Sequence, residues 1–296
     1  MTTRPDILCI GAVLWDIIGR SPSALRLGSD VPGRITRIPG GVAMNIAQTL
    51  ARFGLHPAVL TAVGQDAEGR ELIAACRPLG VDTDYVYRSD DLPTDRYMAI
   101  EGGGGLVAAI ADAHSLETAG AKILAPLEDG RLGREGAPWT GPVALDGNLT
   151  QALLSEIAES PLLAAADLRL APASPGKAER LMPLLGHRRA TLYVNLEEAG
   201  LLCHCQFGTA EAAAEGLMAR GARRVLVTDG GRACADGSGA GIISRVPPPV
   251  MVRRVTGAGD SFMAGHVVAE LRGDDRASAL EAALKSAADY VSGEVV

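Results

Sequence analysis

Short apolar runs alternate with helical patterns along nearly the whole chain, and this alternation limits the fold more than any other feature. Residues 6–13 (DILCIGAV) form an apolar run closing near Gly11, as a buried parallel strand does. Helical spacing follows over 43–53 at Ile46, Ala47, Leu50 and Ala51, with Gly54 as the stop. Residues 58–63 read as the next strand and 67–78 as the next helix. Further apolar runs at 143–146, 168–170, 192–195 and 225–228 are separated by helical patterns at 150–159, 174–185 and 210–220. This order predicts an α/β fold with a central, mostly parallel sheet flanked by helices. The 296 residues suit a single domain, and no linker long enough to separate independent domains is visible.

Two stretches break the rhythm. One is rich in Gly, Pro and Ser and ends near residue 38; the other spans 85–111. In the second, strand-like runs at 96–101 and 106–110 flank four glycines, Gly102 to Gly105, which reads as a β-hairpin. A small antiparallel layer built from about 14–38 and 85–111 is expected over one end of the sheet. Ligands bind there in open α/β folds, so the layer reads as a lid. Residues 130–142 read as a polar surface loop.

The chemistry concentrates in Thr256-Gly257-Ala258-Gly259-Asp260-Ser261-Phe262. Small residues before a helix let backbone N–H groups face an anion. A carboxylate beside an anion site is repelled by it. The pairing makes sense for a phosphoryl group in transit, with Asp260 taking the proton of the attacking alcohol. Near the other end, Gly40-Gly41 precede a helix bearing Asn45, whose amide suits sugar hydroxyls. Asp16 follows the first strand and can accept two hydroxyl hydrogen bonds. Asn195 and Glu198 lie three apart after a strand; that spacing fits an oxygen pair holding Mg²⁺ through water and equally a helix-capping pattern. Thr228-Asp229-Gly230-Gly231 suits a nucleotide-phosphate loop or a tight hairpin turn, and the two are compatible.

Composition narrows the partners. A formal charge of −7 argues against nucleic acid or an anionic membrane as the main partner, and no apolar run approaches a bilayer span. The start lacks a signal-peptide core. Five scattered cysteines without a CxxC pair suit a reducing cytoplasm; Cys203-His204-Cys205 lacks the second ligand pair zinc requires.

Taken in order, these motifs resemble the PfkB (ribokinase-like) family of carbohydrate and nucleoside kinases, from about residue 6 to about 291. The resemblance implies ATP as phosphoryl donor with Mg²⁺. It implies Asp260 as general base and the N–H groups of Gly257, Ala258 and Gly259 as the anion hole. Asp16, Gly40, Gly41 and Asn45 would hold the sugar; Asn195, Thr228, Gly230 and Thr256, with Gly257 and Gly259, would line the ATP site; Glu198 would organise Mg²⁺ through water. Within the family, Arg96-Tyr97-Met98, Asp146-Gly147-Asn148-Leu149, Ala171-Pro172-Ala173-Ser174 and Lys177-Ala178 look most like pseudouridine kinases. The implied product is pseudouridine 5′-phosphate; ribose, adenosine and other sugars are the rival acceptors, and a non-catalytic nucleoside-binding protein is the rival from another class. Many relatives carry an Asp six positions before the catalytic Asp that helps bind K⁺. Here that position is Arg254, so K⁺ dependence is in question. In the family the lid often pairs two copies, which implies a homodimer. The chain's close after its last helix implies a short wall to the adenine pocket.

Overall fold

The computed structural model describes residues 4–25, 28, 30–102 and 105–294. The chain opens with β1 (Ile7–Ile10), leaves the main body through β2 (Leu14–Arg20) and β3 (Arg34–Gly40), and returns in α1 (Val42–Arg52). Next come β4 (Pro57–Leu60), β5 (Ala62–Gly64), α2 (Ala67–Cys76) and β6 (Tyr87–Ser89), then β7 (Arg96–Gly102), β8 (Gly105–Asp112) and a short α3 (His114–Ala119). The second half runs β9 (Pro142–Asp146), α4 (Gln151–Glu159), β10 (Asp167–Ala171), β11 (Ala190–Asn195), α5 (Leu196–Cys203), α6 (Ala210–Ala219) and β12 (Arg224–Thr228). It closes with β13 (Cys234–Ser238), β14 (Gly241–Arg245), α7 (Ala258–Leu271) and α8 (Arg276–Ser292).

Eight strands form the central sheet in the order β14-β13-β12-β11-β10-β9-β1-β4. From β12 to β4 all neighbours are parallel; β13 and β14 extend the edge antiparallel. Every residue of β1 is buried, because helices cover both faces. Leu8 and Ile10 pack with Val143, Leu145 and Leu168 on one side; Ile7 and Cys9 pack with Met44 and Leu50 of α1 and Met263 of α7 on the other. Several helices start at a side-chain cap. Thr150 accepts the Leu153 N–H at 3.2 Å, Thr209 that of Ala212 at 3.2 Å, and Asp275 that of Ser278 at 2.8 Å. Each such cap is worth about 1 kcal/mol.

Four expectations are refined. The strand at 58–63 breaks at Thr61, so β4 joins the main sheet and β5 pairs with β6. Residues 174–185 coil as 3₁₀ turns, with Pro183 inside the segment removing an α-helical hydrogen bond. The 130–142 loop is anchored: Leu132 and Trp139 are buried in the core. The connection after Thr228 is a hairpin between β12 and β13 with a loop longer than two residues.

The second sheet has the order β3-β2-β7-β8. It comes from the two stretches expected to form a small β layer, but its central pair β2–β7 is parallel, since both strands leave the main body in the same direction. The turn expected at Gly103 and Gly104 lies outside the described residues. The base of this sheet is fixed. Asp95, buried, accepts the N–H groups of Ser115 and Leu116 at 2.9 Å each, and its carbonyl accepts the Trp15 N–H at 3.2 Å. Trp15 donates its indole N–H to the Glu68 carbonyl at 3.0 Å.

Candidate active site

The parallel strands all end on one edge of the sheet, and the loops leaving that edge carry the residues singled out by sequence. Asp146 closes β9 there, 1% exposed. Its Oδ2 accepts the N–H of Ala12, just past β1, at 2.9 Å, and that of Ala43, in the first turn of α1, at 3.1 Å; its Oδ1 accepts the Asn148 N–H at 2.8 Å. One carboxylate thus ties three loops together. Burial pushes its pKa up and the three backbone bonds push it down.

Asp16 lies beside Gly40, so close that any β-carbon there would overlap its carboxylate. Gly41, at φ 95°, turns the chain against the Ala12 carbonyl into α1. Burial raises Asp16 to about 6. On the next turn of α1, Asn45 Nδ2 donates to Asp260 Oδ2 at 2.9 Å, joining positions 215 residues apart. Asp260 sits in the first turn of α7 and is half-buried. Burial pushes it up to about 7; the Asn45 bond opposes this, and the neighbouring charges of Asp146, Asp16 and Glu198 add to it. A carboxylate titrating near 7 is poised as a general base at neutral pH.

Gly257 caps α7 at φ 92°, and a β-carbon there would stand 2.5 Å from the Tyr290 hydroxyl. That hydroxyl donates to the Thr256 carbonyl at 2.8 Å. The Ala258 N–H is donated to the Val255 carbonyl at 3.0 Å within the turn. Helix geometry leaves the N–H groups of Gly259 and Asp260 without intrahelical acceptors. The Arg254 guanidinium lies over the Tyr290 ring at 3.8 Å and donates through Nε to the Tyr290 carbonyl at 2.8 Å.

Asn195, Thr228 and Gly230 share the wall of a cleft of about 870 Å³ between α5 and the loop after β12. Thr256, Gly257 and Gly259 belong to the α7 turn and do not line that wall. Asn195 and Glu198 form a reciprocal capping box: the Glu198 N–H donates to Asn195 Oδ1 at 2.9 Å and the Asn195 N–H to Glu198 Oε2 at 2.8 Å. The capping reading is therefore realised. Glu198 is buried and raised to about 7. Among the described residues, no group of three or more His, Cys, Asp or Glu side chains is placed to hold a metal ion alone.

The family profile described as pfkB family carbohydrate kinase matches residues 4–293. The chain belongs to that family. It is 28% identical over 271 residues to a pseudouridine kinase of Escherichia coli, covering 90% of this chain and 83% of the relative. A carbohydrate kinase from Agrobacterium tumefaciens superposes with a TM-score of 0.80 at 25% identity, over 98% of this chain and 93% of that one. An Arabidopsis thaliana ribokinase solved with ribose and ATP superposes at 0.79 and 22% identity, over 98% and 93%. The fold of this pfkB kinase is ribokinase-like, as the motifs implied. Sequence reasoning gave no site role to Asp146, Asn148, Lys177 or Tyr290. Asp146 had a signal: an acid closing a fully apolar strand at the ligand edge. Tyr290 had none, because it reaches Gly257 only through the packing of α8 on α7.

Proposed function

We propose that this protein transfers the γ-phosphoryl group of ATP to the primary hydroxyl of a nucleoside, with pseudouridine as the substrate. The observation that carries the reading is Asp260: a half-buried carboxylate raised to about 7, held by Asn45, in the first turn of α7. The acceptor hydroxyl lies against Asp260, which takes its proton as the oxygen attacks phosphorus. Asp16 and Asn45 hold sugar hydroxyls. The free N–H groups at the start of α7 face the charge building on the transferred group. Asn195, Thr228 and Gly230 line the nucleotide cleft. Mg²⁺ on the phosphates, backed by Glu198, supplies further charge neutralisation. The small sheet closes over the acceptor as a lid and excludes water.

The choice of pseudouridine is supported by the similarity to a pseudouridine kinase across nearly the whole chain. The test is ADP release with pseudouridine, uridine, adenosine and ribose at equal concentration. Preference for pseudouridine supports the assignment; preference for ribose or adenosine reassigns the substrate; binding without ADP release would replace the kinase reading by a binding protein. The outer face of the lid presents Ile35, Met98, Ile100 and Ile110, at 79%, 50%, 45% and 70% exposure. A patch of that kind supports a homodimer through the lid, and sedimentation of an Ile35→Lys/Ile110→Lys variant as a monomer beside a dimeric parent tests it.

A further inference from the structure

Lys177 is an unusual lysine for its position. It is half-buried, in the 3₁₀ segment after β10, at the ligand edge of the sheet. Its ammonium donates to Asn148 Oδ1 at 2.7 Å. Asn148, 8% exposed, donates its own N–H to Asp146. Asp146 holds the first turn of α1, and α1 carries Asn45, which holds Asp260. One hydrogen-bonded chain therefore runs from the proposed base at one end to Lys177 at the other. The charge of Asp146 acts on both Asp260 and Lys177.

An ammonium has three N–H donors, and Asn148 takes one. No other partner for Lys177 is found among the described residues. The surroundings choose between ligands. Arg180, Asp146, Glu117 and Asp95 all bear on Lys177, so an anion brought there meets three carboxylates against two cations. A neutral oxygen acceptor meets no such repulsion. Arg180 closes the outer side, bonded to Glu117 at 2.7 Å and to the Asn148 carbonyl at 3.3 Å. With the 5′-hydroxyl at Asp260 and the sugar hydroxyls at Asp16 and Asn45, the base is the part of the nucleoside left for Lys177 at this edge of the sheet. Uracil presents two carbonyl oxygens. Adenine presents no carbonyl, only ring-nitrogen acceptors beside an amino donor that an ammonium cannot accept from.

We infer that Lys177, positioned by Asn148, reads a carbonyl oxygen of the nucleobase and makes this site selective for a pyrimidine-dione nucleoside. This rests on the nucleoside-kinase reading above. The experiment compares Lys177→Met and Lys177→Gln with the parent, in the full chain, on pseudouridine, uridine, adenosine and ribose. Lys177→Met is expected to raise KM for the uracil nucleosides on the order of 10–100-fold, with kcat within about threefold, since a charged hydrogen-bond donor is lost. Its kcat/KM for ribose stays within about twofold; where ribose turnover is too slow, calorimetric ribose binding replaces it. Lys177→Gln, which keeps a donor and the shape, recovers some of the loss and serves as the test if the Met variant does not fold. Equal losses on ribose and uracil nucleosides, or none on either, overturn the inference. Its failure is separable from that of the kinase reading: a parent that prefers uracil nucleosides while Lys177→Met discriminates equally well sinks only the role of Lys177, whereas a parent inert to all uracil nucleosides sinks both.

Discussion

Replacing Asp260 by Asn separates catalysis from stability. The variant keeps an oxygen able to accept the Asn45 amide and removes the basic carboxylate. Turnover should fall on the order of 10²-fold or more, the usual contribution of a positioned acid–base group. Stability should move the other way. The folded-state pKa of about 7 lies above the ordinary value of 3.8, with burial as the main cause. A raised pKa means the native state holds its proton more tightly than the unfolded chain. Its stabilising effect is complete below the unfolded value and is lost as pH rises through about 7. Three pKa units correspond to roughly 4 kcal/mol as an upper bound. Partial exposure of Asp260 and the altered Asn45 bond reduce this, leaving about 1–2 kcal/mol between pH 5 and pH 8. The asparagine variant cannot ionise and escapes the loss. Urea denaturation of both proteins at the two pH values reads it: the variant's advantage should widen toward pH 8. An advantage that stays flat with pH, or turnover near that of the parent, would refute the account of Asp260 as a buried base.

Three further perturbations test the surrounding structure. Gly257→Ala places a β-carbon against the Tyr290 hydroxyl at φ 92°; steady-state kinetics should show kcat lower by about tenfold or more, with far-UV circular dichroism unchanged. Glu270→Ala leaves the guanidinium groups of Arg169 and Arg224 without their shared carboxylate, and urea unfolding should show a loss of about 3–5 kcal/mol. Because a guanidinium packed on Tyr290, that of Arg254, stands six residues before Asp260, exchanging Na⁺ for K⁺ at constant ionic strength should change kcat less than about twofold, which a coupled ADP assay resolves.

The residues visible in sequence were those whose roles are local. The helices expected at 150–159 and 210–220 do form, each begun by a local cap, Thr150 or Thr209, and the apolar runs of β1, β9 and β11 are buried strands. Asn195 and Glu198 were legible as a pair because a capping box closes within four residues. What sequence left open depends on long-range packing. The parallel pairing of β2 with β7 joins Asp16 to Tyr97, and no local pattern encodes it. β13 contains Gly237 and a buried Asp236 that binds Arg224 and Arg276, so its apolar pattern is broken by the network it serves. The Asn148–Lys177 bond spans 29 residues and three loops. Asp260 was found because a carboxylate beside a glycine turn is chemically odd, whereas the role of Asp146 emerges only when the fold brings Ala12 and Ala43 onto it.

Helix α7 connects the proposed chemistry to the opposite end of the sheet. Its first turn carries Asp260, and its last carries Glu270. Glu270 is gripped by Arg169 on β10 and Arg224 on β12, the strands on either side of β11. His266, fully buried and lowered to about 4 chiefly by burial, contacts the Tyr193 hydroxyl of β11 at 2.8 Å. Buried ion pairs add little net stability against an apolar replacement, because desolvation opposes the attraction. Their geometry, however, is demanding. A carboxylate held from two strands fixes both the slide and the rotation of the helix across three strands. One residue of slip would advance α7 by about 1.5 Å and turn it by about 100°. Asp260 would then lose the Asn45 amide, which is its only side-chain hydrogen-bond partner among the described residues. The ionic cluster therefore matters to the site through register: it sets where a costly half-buried carboxylate must stand.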